Sequence, residues 1–433
     1  MSQNHLAATQ ALMPQQPLVE EICTNDSLIT LRRVEGAKAT ELYFSCKPVG
    51  QSKEAGKQAL AMYSGIRDVL LAEGGSFDSI VSETIFMRNM ESDIESVRHS
   101  RKSVVAASDE RVVDSALTEI QQAPLDTHAC LEIAIQAILP ITSTIDKQQV
   151  HATSGCECSE CTESTGLLLQ MGDEARLIAG GVYGDGNDAY EQTHSMFELA
   201  EKLLHEAGME FSDVVRTWIY LREMERDYYP GLNKARREFF DSRGIATVPA
   251  STGIEGGMVN PKHDICMGFY AVKSGKPLMR TIMTTPTLNE AGEYGADFTR
   301  GMKMNEANKV ALHVSGTASI DEGGKTAHVG NIEAQIDRMI LNISTLLENQ
   351  GADFGDIVSA YNYLKDPADE QLLKDKFRQA GLDGIPSVFV HAEVCRPDLL
   401  CETEVLAVLP CAPVSLGGQK HHHLRQAKPV SLK

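Results

Sequence analysis

Apolar and polar positions follow one order along this chain, and that order comes round three times. The segments LLAEGGSFDSIVSETIFM (70–87), LLHEAGMEFSDVVRTWIYL (203–221) and LLENQGADFGDIVSAYNYL (346–364) line up. Each opens on the end of an amphipathic helix, apolar at i, i+3 and i+4. A glycine follows (Gly74, Gly208, Gly351), where a left-handed helix cap costs least. Then come a phenylalanine (Phe77, Phe211, Phe354), a short acidic turn and an alternating, strand-like stretch. A strand pattern precedes each helix, at 41–46, 176–181 and 310–316. Another closes each unit: CLEIAIQAIL (130–139), ICMGFYAV (265–272) and CETEVLAVL (401–409). Aligning the closing strands on Ala137, Ala271 and Ala407 puts Glu132, Cys266 and Glu402 at one position.

The chain has 433 residues, too many for a single core. The repeat predicts an α+β fold of three tandem domains, each a β-sheet packed on helices. The units are expected at 25–143, 170–277 and 296–412, with a Cys-rich linker at 144–169 and a disordered tail at 413–433. The first unit is the most degenerate, and a structural role is expected for it.

These features resemble the Rid family, the reactive intermediate deaminases also known as L-PSP endoribonucleases. The residues that carry the likeness are the VSG strand, the helix ending LLENQGADFGDIV and the closing strand with its E-x-E-x-x-A-V pattern. The resemblance implies homotrimer-like packing with sites in clefts between units. Three units in one chain then imply an intrachain pseudo-trimer, monomeric or further assembled. Rid enzymes place a carboxylate-binding Arg in a P-x-R strand. Here PAS (249–251) and PSV (386–388) carry Ser251 and Val388 instead.

Repeats 2 and 3 are more similar to the chorismatases, a tandem branch of that family. The matching stretches are VPASTGIEGG (248–257), FTRGM (298–302), VSGTASID (314–321) with His328, and AEVCRPDLLCETE (392–404). That branch hydrolyses an enolpyruvyl ether, which implies a general acid at Glu402. Period-two alternation places Glu404 on the same face, where a paired carboxylate favours holding a proton. Arg300 and Arg396, from separate segments, are candidates for the substrate's carboxylates. Ser251, Thr252, Gly253, Ser315, Thr317, Ser319 and His328 are candidate substrate contacts. Imine or enamine deamination and a non-catalytic ligand-binding role are the alternatives.

Charge narrows the partners. Sixty Asp and Glu against forty Lys and Arg give a net charge of −20, which repels phosphate backbones and argues against nucleic acid. A small-molecule substrate is expected, with no required cofactor. No apolar run approaches the ~20 residues of a membrane span, and the opening MSQNHLAATQALMPQQPLVEE has neither a basic nor an apolar leader region. Ten scattered cysteines suit a reducing compartment, so a cytoplasmic location is expected. One cluster stands apart. Cys156, Cys158 and Cys161, with His151 upstream, supply thiolate and imidazole ligands of the kind zinc takes.

Overall fold

The computed structural model describes residues 18–24, 26–107, 112–141, 144–153, 163–224, 228–294 and 296–410. They form three six-stranded sheets of one topology. The first contains β1 (Leu18–Cys23), β2 (Ser27–Glu35), β3 (Ala39–Pro48), β4 (Ile80–Met87), β5 (Ala116–Gln121) and β6 (Leu131–Pro140), in the order β1-β2-β3-β6-β4-β5. The second contains β7 (Asp146–Thr153), β8 (Glu163–Met171), β9 (Glu174–Tyr183), β10 (Val214–Leu221), β11 (Ala250–Glu255) and β12 (Ile265–Ser274). The third contains β13 (Arg280–Ile282), β14 (Gly301–Asn305), β15 (Lys309–Ala318), β16 (Ile357–Leu364), β17 (Ser387–His391) and β18 (Cys401–Pro410). Each sheet carries two helices: α1 (Ala55–Ala72) and α2 (Met90–Ala106), α3 (Ala189–Glu206) and α4 (Tyr228–Arg243), α5 (Ile332–Glu348) and α6 (Glu370–Ala380).

The repeat markers have visible causes. Gly74, Gly208 and Gly351 end α1, α3 and α5 with φ of 78°, 69° and 77°. A side chain there would be strained. Phe77, Phe211 and Phe354 each open a single 3-10 turn, closed by a reciprocal capping box, that feeds the next strand. The registers pair Phe86 with Glu132, Tyr220 with Cys266 and Tyr363 with Glu402, so those three positions are equivalent.

Three expected boundaries differ. Within the expected linker, β7 and the start of β8 are strands of the second sheet, which they extend beside β9. The pattern of β7, exposed and more buried in turn along DKQQVHAT, is that of a half-covered edge strand. Likewise β1 precedes residue 25, and β13 lies between the second and third expected units. The three cysteines of the CxCxxC cluster, and residues 413–433, lie outside the described residues. His151 lies on β7, paired with Thr165. Among the described residues no group of three His, Cys, Asp or Glu is placed to hold a metal. None of their helices is long and apolar enough to cross a membrane.

The helices cover one face of each sheet; the other faces meet around a common axis. On β18, Cys401, Val405 and Ala407 enter the helix-side core, so Glu402 and Glu404 project toward the axis. Neighbouring repeats close in a ring. β11 lies against repeat 3, where Thr299 N–H donates to Pro249 O at 3.0 Å. β17 lies against repeat 1, where Ser387 N–H donates to Ser45 Oγ at 3.0 Å. β5 lies against β9 so closely that a Cβ on Gly180 would sit 2.5 Å from Leu117 O. One end of the axis is locked by a buried ion cluster from all three repeats. Arg176 (β9) pairs with Glu41 (β3) at 3.1 Å and with Glu306 at 2.9 Å, while Lys309 (β15) pairs with Glu41. Removing one partner of such a cluster strands a buried charge, at a cost of about 3–5 kcal/mol.

Candidate active site

Each sheet interface could in principle hold a site, and the three differ because their backbones differ. At the junction of repeats 2 and 3 a cleft holds about 500 Å³ of empty space, part of it open to solvent. Glu402 forms its floor, and Arg300, Arg396, Ser251 and Gly253 line it, as the sequence reading expected for one interdomain cleft.

What opens this cleft is a β-bulge. Val314 pairs with Val405, but the next ladder pair is Thr317 with Thr403, so Ser315 and Gly316 together face Glu404. A bulge re-aims the side chains beside it. An ideal Cβ on Gly316 would fall 2.0 Å from Glu402 Oε1, so the glycine makes the space the carboxyl occupies. Glu402 is only 5% exposed. Burial is the main cause that raises its pKa to about 8; the charge of Glu404 adds to it, while Arg300 and Arg216 oppose. Near neutral pH it is therefore a protonated, proton-donating carboxyl.

Three guanidinium groups face that acid. Arg300 is held by Asn289, with Nε donating to its backbone O at 2.8 Å and Nη2 to its Oδ1 at 3.1 Å. Arg396 Nη1 donates to Gly324 O at 2.8 Å. The third, Arg236, escaped the sequence reading. It lies on α4 with Nη2 donating to Asn233 Oδ1 at 2.7 Å, and it shares the ring of Phe298 with Arg300, their guanidinium carbons 5.7 and 5.4 Å from the ring centre. Its signal was an Arg within the apolar stripe of α4, between Leu232, Ala235 and Phe239, all fully buried. Tyr229 and Cys395 complete the wall and were also missed.

Several predicted contacts lie elsewhere. Glu404 shares the face of Glu402 but points into a separate axial cavity, accepting from Arg216 Nη2 at 2.8 Å and Trp218 Nε1 at 2.7 Å. Two residues of strand span about 7 Å, enough to separate two pockets. Ser315 Oγ donates to Thr299 O at 2.6 Å and accepts from Ser251 N at 2.9 Å, so it clamps repeats 2 and 3 instead of facing the cleft. Thr252 Oγ1 accepts from Gly316 N at 2.9 Å and Arg216 Nη2 at 2.5 Å, on the same seam. Thr317 Oγ1 donates to Ser315 O and Ser319 Oγ to Ala327 O. His328 is exposed with φ 58°, its carbonyl accepting from Asn331 N ahead of α5. None of Thr252, Ser315, Thr317, Ser319 and His328 lines the cleft.

The match of PAS with PSV is also off by one. Thr217 pairs with Ser251, and the equivalent Ala360 pairs with Ser387, so Ser387 corresponds to Ser251 and Val388 to Thr252. Aligning on the prolines slipped the register, and a one-residue slip exchanges the two faces.

The other interfaces carry different chemistry. Glu132, at the junction of repeats 3 and 1, accepts from Phe389 N at 3.2 Å. Burial raises its pKa to about 7. There β3 pairs with β6 without a bulge, and Glu132 does not line the cavity beside it. Cys266, between repeats 1 and 2, is fully buried in an apolar cluster with Phe86, Ile120 and Ile254.

Glu404 has a definite expected effect. Replacing it by Gln removes the nearby negative charge and frees the Arg216 charge, and both changes lower the Glu402 pKa. A pH–rate profile of the Glu404→Gln variant should lose activity at lower pH than wild type, with the alkaline limb moved acidward from about 8. An unmoved limb would show that Glu404 does not tune the acid.

Comparisons with known proteins agree with the repeated fold. The family model described as Endoribonuclease L-PSP matches residues 159–273 and 295–409. The 3-hydroxybenzoate synthase of Streptomyces hygroscopicus is 27% identical over 308 residues, covering 65% of this chain and 86% of that protein. A RutC family protein of Saccharolobus solfataricus is 32% identical over 112 residues, 25% of this chain and 85% of its own. A chorismatase crystal structure superposes with a TM-score of 0.54 at 18% identity, covering 76% of this chain and 93% of the other, a likeness of fold.

Proposed function

This chain belongs to the Endoribonuclease L-PSP family, and within it we propose that the cleft between repeats 2 and 3 hydrolyses an enolpyruvyl ether or a closely related small carboxylate. The observation that carries the proposal is a neutral, buried Glu402 set against Arg236, Arg300 and Arg396 in one cleft. The names of the similar proteins, a chorismatase and a 3-hydroxybenzoate synthase, support the same substrate class.

The chemistry follows from the charges. Guanidinium groups bind the substrate's carboxylates and orient the vinyl ether over the acid. Glu402 gives its proton to the terminal vinyl carbon, which leaves an oxocarbenium-like centre at the ether carbon. Water adds there, losing its proton to the Glu402 carboxylate, and the resulting hemiketal collapses to pyruvate and an alcohol. The desolvation that raises the Glu402 pKa keeps its proton in place until the vinyl carbon takes it. A net charge of −20 and three arginines gathered in one cleft suit a small carboxylate better than an RNA chain.

The test is incubation with chorismate and measurement of pyruvate through a coupled dehydrogenase. Pyruvate release that saturates with chorismate is the expected result. Ammonia release from a freshly generated imine, with no pyruvate from chorismate, would instead assign a deaminase. Tight ligand binding without turnover would assign a binding protein.

A further inference from the structure

A second cavity, with about 790 Å³ of empty space when its share open to solvent is counted, lies where the three sheets meet, apart from the Glu402 cleft. Its walls come from equivalent positions of all three repeats. The registers align Ser82, Arg216 and Ser359, and likewise Tyr43, Ile178 and His313; all six line it. In a ring of identical chains any residue at such a position occurs three times. Three arginines there would repel one another across the axis. One continuous chain escapes that constraint, and here a single Arg faces two serines, whose small side chains leave it room.

Gln136, Lys309 and the carboxylates of Glu306 and Glu404 also line this space, and within it Arg216 and His313 each present a nitrogen with no hydrogen-bond partner among the described residues. Arg216 is 2% exposed and His313 7%. Arg216 Nη2 is engaged by Glu404 and Thr252, but Nη1 finds no hydrogen-bond partner among the described residues, and neither does His313 Nε2. A buried donor left unmet destabilises the fold, and a ligand that meets it regains that loss. Burial and the nearby Arg216, Lys309 and Arg176 hold His313 neutral, so it adds no charge but offers a ring nitrogen. Aromatic rings of Trp218, Tyr270 and Tyr361 supply one part of the wall, and Ile135, Ile178 and Leu406 add apolar surface. Ser82, Trp218, Ser359 and Tyr361, which line the cavity, are only partly buried.

We propose that this axial cavity is a binding site for a small monocarboxylate, held by Arg216 Nη1 and His313 Nε2 between aromatic walls. The carboxylate oxygens accept both hydrogen bonds, and the apolar remainder of the ligand rests on the rings. A guanidinium edge suits a carboxylate over a neutral amide because the bond is charge-assisted. The site is separate from the cleft of Glu402 and stands whether or not that cleft hydrolyses an enol ether.

Trp218 is the only tryptophan in the chain and lines this cavity, so its fluorescence reports on the site directly. Sodium acetate titrated into the full-length protein should change the emission saturably. Sodium chloride at matched ionic strength should not, and acetamide should bind at least about tenfold more weakly. Ser82→Leu fills the cavity without touching its charges, and His313→Leu removes one donor. Each should weaken acetate binding about tenfold or more, while Arg396→Ala, in the other cleft, should leave it unchanged. Either variant is compared only if its thermal unfolding remains cooperative; the acetate, chloride and acetamide titrations of wild type need no variant. No saturable change, an equal response to chloride, or a response lost in Arg396→Ala and kept in both cavity variants would overturn the proposal.

Discussion

Glu402→Gln should lower kcat by about 10²–10⁴-fold, the usual contribution of a positioned general acid, with substrate affinity largely kept. Gln matches the neutral carboxyl in shape and charge, so the fold should stand. The linkage also has a definite sign. With the folded pKa raised to about 8, the folded state holds a proton that the unfolded state, near its ordinary 4.5, has released. Wild-type stability therefore falls as pH rises from about 4.5 to 8, and the Gln variant lacks that loss. Thermal unfolding at several pH values checks this, and single-turnover kinetics check the chemistry. Full activity in the variant removes Glu402 as the acid.

Gly316→Ala should be nearly as damaging, although the residue bears no functional group. The new Cβ would fall 2.0 Å from Glu402 Oε1 and 3.0 Å from Thr252 Cγ2, so the carboxyl must move. A displacement on the order of 1 Å at a reacting group costs about 100-fold in rate. The forced repacking should cost about 1–3 kcal/mol in stability. The discriminating measurement is the pH profile. If the added methyl pushes the carboxyl toward solvent, the alkaline limb falls below about 8 along with kcat. Unchanged kcat with unchanged pH dependence would mean that the glycine is not what shapes the acid's pocket.

Much of the fold was legible because it rests on local physics repeated three times. The glycine caps, the phenylalanines that open 3-10 turns and the alternating strands each leave a signature a few residues long. Strand β8 and the edge strand β7 were missed: a polar, Cys-rich context hid the alternation of DKQQVHAT in β7. The site was legible in part. Glu402, Arg300 and Arg396 were identified and do line one cleft. Arg236 was not, because an arginine on a helix stripe looks like a surface residue until Phe298 is packed against it. Ser315 and Thr252 looked like ligand contacts because strand-end hydroxyls commonly are; here they clamp one repeat to the next.

The residues alone were enough to establish three repeats, their α+β character, the equivalence of Glu132, Cys266 and Glu402, and the common face of Glu402 with Glu404. Each is a matter of periodicity along one strand or one helix. Tertiary packing decided the rest. A bulge at Ser315–Gly316 turns Glu402 into an open cleft, while its absence from β3 leaves Glu132 against a backbone N–H. It also separates Glu402 from Glu404, one in the cleft and one held by Arg216 at the axis. Period-two alternation says which face a side chain takes; which neighbour meets it there depends on another repeat, far away along the chain.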